Sequence, residues 1–89
     1  MKITVTPLDI VAGARGEPCS CPIALAIRRQ IPGSDPLVTP EEVGIEWDDR
    51  RVDYPAYDLP QEARDFIGRF DAGLPVDPFE FDLDYEASS

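Results

Sequence analysis

Apolar positions along this chain alternate between a two-residue and a 3.6-residue period, and each change of period marks an element. Lys2 to Thr6 places Ile3 and Val5 around Thr4, a first strand that Pro7 stops. Thr6 is positioned to cap a helix of about two turns. Pro7 suits its first turn, Leu8, Ile10 and Val11 supply apolar positions, and Gly13 terminates it. Residues 14–20 read as loop. A second helix begins near Cys21 and Pro22 and runs to about Ile31. It carries Ile23, Ala26 and Ile27 on one stripe widened by Leu25, with Arg28 and Arg29 favourably near its C-terminus. Pro32 and Gly33 end it.

Strand and turn signals fill the next segment. Leu37 and Val38 suit a short strand. Val43 to Asp48 alternates, with Val43, Ile45 and Trp47 on one side and Glu46 and Asp48 on the other. A turn at Asp49 and Arg50 followed by Val52 and Tyr54 predicts a hairpin. The clearest helix spans residues 60–72, where Ala63, Phe66, Ile67 and Phe70 follow i, i+3, i+4, i+7. Asp58 is placed to cap it, Asp65 and Arg69 form an i, i+4 pair, and Gly73 closes it. From Phe79 to Tyr85 the period is two again: Phe79, Phe81, Leu83 and Tyr85 oppose Glu80, Asp82, Asp84 and Glu86. The order β-α-α-β-β-α-β predicts one small α+β domain over residues 1–89. Its sheet is mostly antiparallel, of about four strands packed against helices, and residues 87–89 fray.

Composition narrows the class. Ten prolines and six glycines in 89 residues demand short elements and frequent turns, while eight aromatics and a 43% hydrophobic share argue against disorder. The longest apolar stretch, residues 22–27, falls far short of the roughly 20 residues of a membrane helix, and the N-terminus lacks the order of a signal peptide. These features predict a cytoplasmic protein.

Charge changes the picture most. Residues 1–40 are close to neutral, whereas residues 41–89 set fifteen carboxylates against four arginines. A net charge of −10 with a single lysine argues against direct nucleic-acid binding, which runs on Lys and Arg contacts to phosphate, and disfavours an anionic membrane. A basic protein surface is the expected partner. Successive carboxylates of the 79–86 run would stand roughly 6.6 Å apart, twice the rise of a strand residue. That is close to the charge spacing of a nucleic-acid backbone. If the 45–54 hairpin joins the same sheet, Glu46, Asp48, Asp53, Glu80, Asp82 and Asp84 share its outer face, with Glu86 beyond. The bland reading is a solvated sheet face.

Other chemistry is sparse. Cys19 and Cys21 sit at a helix start, where the helix dipole would lower a thiol pKa. Two cysteines without histidine do not complete a usual zinc site. They read as structural thiols, as half of a metal site shared across a dimer, or as redox groups. Without histidine the commonest general base is missing, so no enzyme and no cofactor are expected. The adjacent acidic pairs Glu41 with Glu42 and Asp48 with Asp49 read as turn residues. Trp47 and Tyr54 read as core, and Tyr57, outside any periodic run, as an exposed interface anchor.

Several segments carry a resemblance: residues 1–7, Cys21 to Ala26, Leu59–Pro60 with Glu62 to Arg64, Phe66–Ile67, Arg69 to Gly73, and Pro78 to Phe81. In these the chain resembles small acidic proteins of actinobacterial phages and their hosts. The resemblance implies a setting among phage accessory genes, many of which encode short acidic proteins that block a host or defence protein. DNA-mimicking anti-restriction and anti-CRISPR proteins are similar in size and charge. The resemblance assigns no functional residue.

The expectation is therefore a non-enzymatic inhibitor that occupies the basic nucleic-acid groove of another protein, with Glu46, Asp48, Asp53, Glu80, Asp82, Asp84, Glu86 and Tyr57 at the contact. The alternatives are a binding module whose acidity only solubilises it, or a metal or thiol protein built on Cys19 and Cys21. Oligomeric state is left open.

Overall fold

A computed structural model describes residues 1–47 and 52–83, with residues 52–55 described by their backbone. The order is β1 (Lys2–Val5), α1 (Pro7–Ala12), α2 (Pro22–Gln30), β2 (Ser34–Val38), β3 (Glu42–Trp47), β4 (Val52–Asp58), α3 (Gln61–Asp71) and β5 (Phe79–Asp82). This is an α+β fold of three helices and five strands among the described residues. The strands form two antiparallel sheets, a β1-β5 ribbon and a three-stranded β2-β3-β4 sheet, where one sheet was expected. The additional strand is β2. Leu37 and Val38 anticipate its end, but Pro36 hid its middle. Pro36 is buried opposite Ile45, which is tolerated because β2 lies at a sheet edge.

The core lies between the helices and the inner faces of both sheets. Ile3 and Val5 of β1, Ile23 and Ile27 of α2, Val43 and Ile45 of β3, and Phe81 of β5 are almost wholly removed from water. Each such side chain contributes about 1.5–3 kcal/mol by its burial. An aromatic ladder fastens β5 to α3: Phe70 and Phe66 lie 6.1 Å apart, Phe66 and Phe79 4.7 Å, and Phe79 and Phe81 5.6 Å between ring centres.

Helix α2 also completes β1. The Gln30 side-chain amide accepts from Thr4 N–H at 2.7 Å and donates to Lys2 C=O at 3.2 Å, as a neighbouring strand would. Arg29 donates to Thr4 C=O at 3.0 Å. The free edge of the ribbon is thereby closed by side chains. Arg29 reaches Asp9 as well, at 2.8 Å.

Helix α1 is the clearest departure from expectation. Thr6 and Asp9 form a reciprocal capping box, and Asp9 is the buried residue of the helix, while Leu8 and Val11 are 79% and 83% exposed. The polar contacts of Asp9 turned the helix over: Thr6 N–H, Thr6 hydroxyl and Arg29 all donate to one oxygen. Burial pushes this carboxyl up more than any other single influence, but those donors together outweigh it and hold it below its ordinary 3.8. Gly13 ends α1 with an extended backbone, and its role is close approach, since a Cβ there would stand 2.6 Å from the Pro22 ring.

Helix α3 begins one residue later than expected. Pro60 occupies its cap position with no side-chain bond, so Asp58 does not cap it; Asp58 is the last residue of β4. Asp65 takes the Gln61 amide at 2.9 Å and makes no ion pair with Arg69. At its end Gly73 adopts φ 77° and Leu74 N–H bonds to Arg69 C=O, as the αL termination predicts. Among the described residues no helix is long and apolar enough to cross a membrane.

Candidate functional site

The carboxylates are on the surface, but not on one sheet. Glu80 and Asp82 face outward from the ribbon, opposite Thr4 and Lys2 in register, while Phe81 points into the core. Glu80 meets the Thr4 hydroxyl at 3.5 Å, the limit of a hydrogen bond. Glu46 is exposed on β3 in the other sheet. The proposed turn at Asp49 and Arg50 lies outside the described residues, as do Asp48, Asp84 and Glu86. The strand register around that turn differs by one from a two-residue hairpin. Glu46 stands opposite Val52, and Asp53 stands opposite the buried Ile45. Asp53 therefore pairs with Ile45 and not with Glu46; its side chain lies outside the described residues.

Three carboxylates absent from the expected outer-face set join Glu46 on this sheet. Asp35 of β2 is the direct partner of Glu46, and Glu42 of β3 is the direct partner of Asp58; all four are exposed. Cross-strand partners lie about 4.5–5.5 Å apart between Cα atoms, and like charges so placed work against the sheet by tenths of a kcal/mol. Arg28 relieves one pair, bonding Asp35 at 3.2 Å and Cys19 C=O at 2.8 Å. No ion pair among the described residues relieves the other. Among the described residues only Asp35 and Asp9 are in ion pairs, so Glu41, Glu42, Glu46, Asp58 and Glu80 present charge that no ion pair answers, while Asp82 has Lys2 as its direct cross-strand partner. Asp35, Glu42 and Asp58 were invisible to a reading by alternation because their pairing depends on β2 and on the irregular register between Val43 and Ile45.

Tyr57 is corrected too. It is half-buried on β4, opposite Val43 and packed against the core, and is not an exposed anchor. Trp47 packs there likewise, as expected. The side chain of Tyr54 lies outside the described residues.

The two cysteines part company. Cys21 is buried at the cap of α2, where its Sγ accepts from Ala24 N–H at 3.4 Å. Burial pushes this thiol up, against the lowering expected from the helix dipole, because desolvation of a thiolate outweighs the amide bonds. Cys19 is exposed. Among the described residues no three metal-ligating side chains come together. Cys21 instead lines an apolar cleft of about 210 Å³ between the 16–18 loop, α2, the end of β2 and α3.

Comparison with protein families, with curated proteins and with solved structures finds no match to this chain.

Proposed function

We propose that this protein is a non-enzymatic acidic binding protein that occupies the basic, nucleic-acid-binding surface of another protein and excludes its substrate, in the manner of a DNA-mimic inhibitor. The observation that carries this reading is the Glu42–Asp58 pair: two exposed like charges opposed across a sheet, with no ion pair to relieve them among the described residues. Solubility alone needs charge somewhere; it does not need charge where it opposes strand pairing. A basic partner would supply the missing counter-charge and turn a cost of the free protein into binding energy. Glu46 beside Asp35 on the same sheet, and Glu80 with Asp82 on the ribbon, extend the negative field. Steering by such a field gives fast, salt-sensitive association. Anti-CRISPR and anti-restriction proteins of phage are the functional type this reading belongs to.

The experiment is capture from a host lysate with the tagged protein at low and at moderate salt. A nucleic-acid-binding protein recovered at low salt, and lost when Glu42, Glu46, Glu80 and Asp82 are replaced by their amides, is the expected result. Recovery that is indifferent to both salt and the amide replacements contradicts it.

One observation favours a second reading, a binding module that uses apolar contacts. Leu8 and Val11, three residues apart on α1, are almost fully exposed. That reading predicts salt-resistant capture abolished by Leu8→Ser with Val11→Ser.

A further inference from the structure

The cleft over Cys21 combines an apolar lining with two carboxylates. Its lining is mostly apolar and includes Pro18, Val38, Pro40 and the half-buried Phe70 of α3. Its rim carries two carboxylates, Glu17 and Asp71. The Asp71 side chain accepts Gly16 N–H at 3.2 Å through one oxygen, which ties the loop to α3. Among the described residues its second oxygen and the whole Glu17 carboxylate make no hydrogen bond or ion pair. Of the nearby cations, Arg28 is held by Cys19 C=O and Asp35, while the Arg15 guanidinium lies close to Gly73, two residues beyond Asp71. The Asp71 charge also reaches the floor of the cleft, where it acts on the Cys21 thiol.

A volume of about 210 Å³ is below the roughly 300–1,000 Å³ of small-molecule sites, and suits one long side chain. We infer that this cleft receives an arginine side chain of a protein partner, its methylene stem between Pro18 and Pro40, its guanidinium between Glu17 and Asp71 against the edge of Phe70. Arginine buries an apolar stem while its planar head pairs with carboxylates and stacks on aromatic rings. It is also enriched among residues that dominate interfaces. The inference rests on the reading that the partner is a basic protein, and it names a contact of that partner outside the sheet surface.

The test is amide chemical-shift titration of the full chain with N-acetyl-arginine amide, with the lysine and leucine amides as comparisons. The expected result is saturable shifts at residues 16–18, 38–40 and 70–71 with the arginine compound, stronger than with either comparison. Glu17→Gln and Asp71→Asn should each weaken it about fivefold. Asp71→Asn keeps the carbonyl oxygen that accepts from Gly16, and Glu17 is an exposed side chain without a bond, so both variants retain the fold. Shifts spread over Glu42, Asp58 and Glu80 in proportion to charge, or an equal response to the leucine compound, would overturn the inference. Salt-sensitive capture with an inert cleft overturns only this inference. A saturable arginine site with salt-indifferent capture overturns the proposed function instead.

Discussion

Asp9 shows how one side chain can reverse the face of a helix. In a six-residue helix the apolar surface available is small, and three hydrogen bonds to one carboxylate oxygen, one of them from Arg29, outweigh the gain from burying Leu8 or Val11. Because the folded carboxyl is held below its ordinary 3.8, its contribution to stability is fully present above that value and is lost as pH falls through the lower folded value. Asp9→Asn should therefore cost about 1–2 kcal/mol at neutral pH, since Arg29 is half exposed and its pairing is screened. It should also flatten the acid limb of the stability curve, both read by urea unfolding between neutral pH and pH 3. A parallel loss of stability at every pH would contradict the assignment. Gly13 poses a steric question of the same scale. With the Pro22 ring 2.6 Å from the position of a Cβ, Gly13→Ala should destabilise by about 1–3 kcal/mol although its backbone is ordinary. Chemical unfolding of that variant decides it.

Among the elements, the closure of β1 by Gln30 joins a helix to a sheet that is otherwise only two strands wide. Removing the amide in Gln30→Ala leaves Thr4 N–H without its partner, which costs about 1–3 kcal/mol and should raise hydrogen exchange at Thr4 selectively. Unchanged protection at Thr4 would show that the bond is not maintained in solution. The elements themselves were largely legible in the chain. Period and punctuation placed β1, α1, α2, β3, α3 and the start of β5 within a residue or two, because Pro7, Pro22, Gly33 and Gly73 mark their ends. What alternation does not carry is pairing. The split into two sheets, the strand role of Ser34 to Val38 across a proline, and the register that sets Asp58 against Glu42 depend on contacts far apart in sequence. Of the candidates, Glu46, Glu80 and Asp82 are exposed as alternation predicts, whereas Tyr57, read as an exposed anchor, is half-buried against the core. Glu42→Gln should stabilise the sheet by a few tenths of a kcal/mol by relieving Asp58, while weakening capture of a basic partner. Stabilisation without any change in capture would mean that this pair serves neither fold nor binding.

At the scale of the molecule, a core shared by two small sheets and three helices supports a surface whose charge it does not need. Arg28 and Arg29 are committed to holding the loop, Asp35, Asp9 and β1 in place, and among the described residues no ion pair answers Glu42, Glu46, Asp58 or Glu80. An excluded-substrate mechanism requires that those carboxylates occupy the place of phosphates on the partner. The most direct measurement is competition: the captured partner is loaded with a labelled nucleic acid, and this protein is titrated in at low salt. The account predicts stoichiometric release of the nucleic acid, weakened by added salt and by amide replacement of Glu42, Glu46, Glu80 and Asp82. A ternary complex in which the nucleic acid stays bound would contradict it.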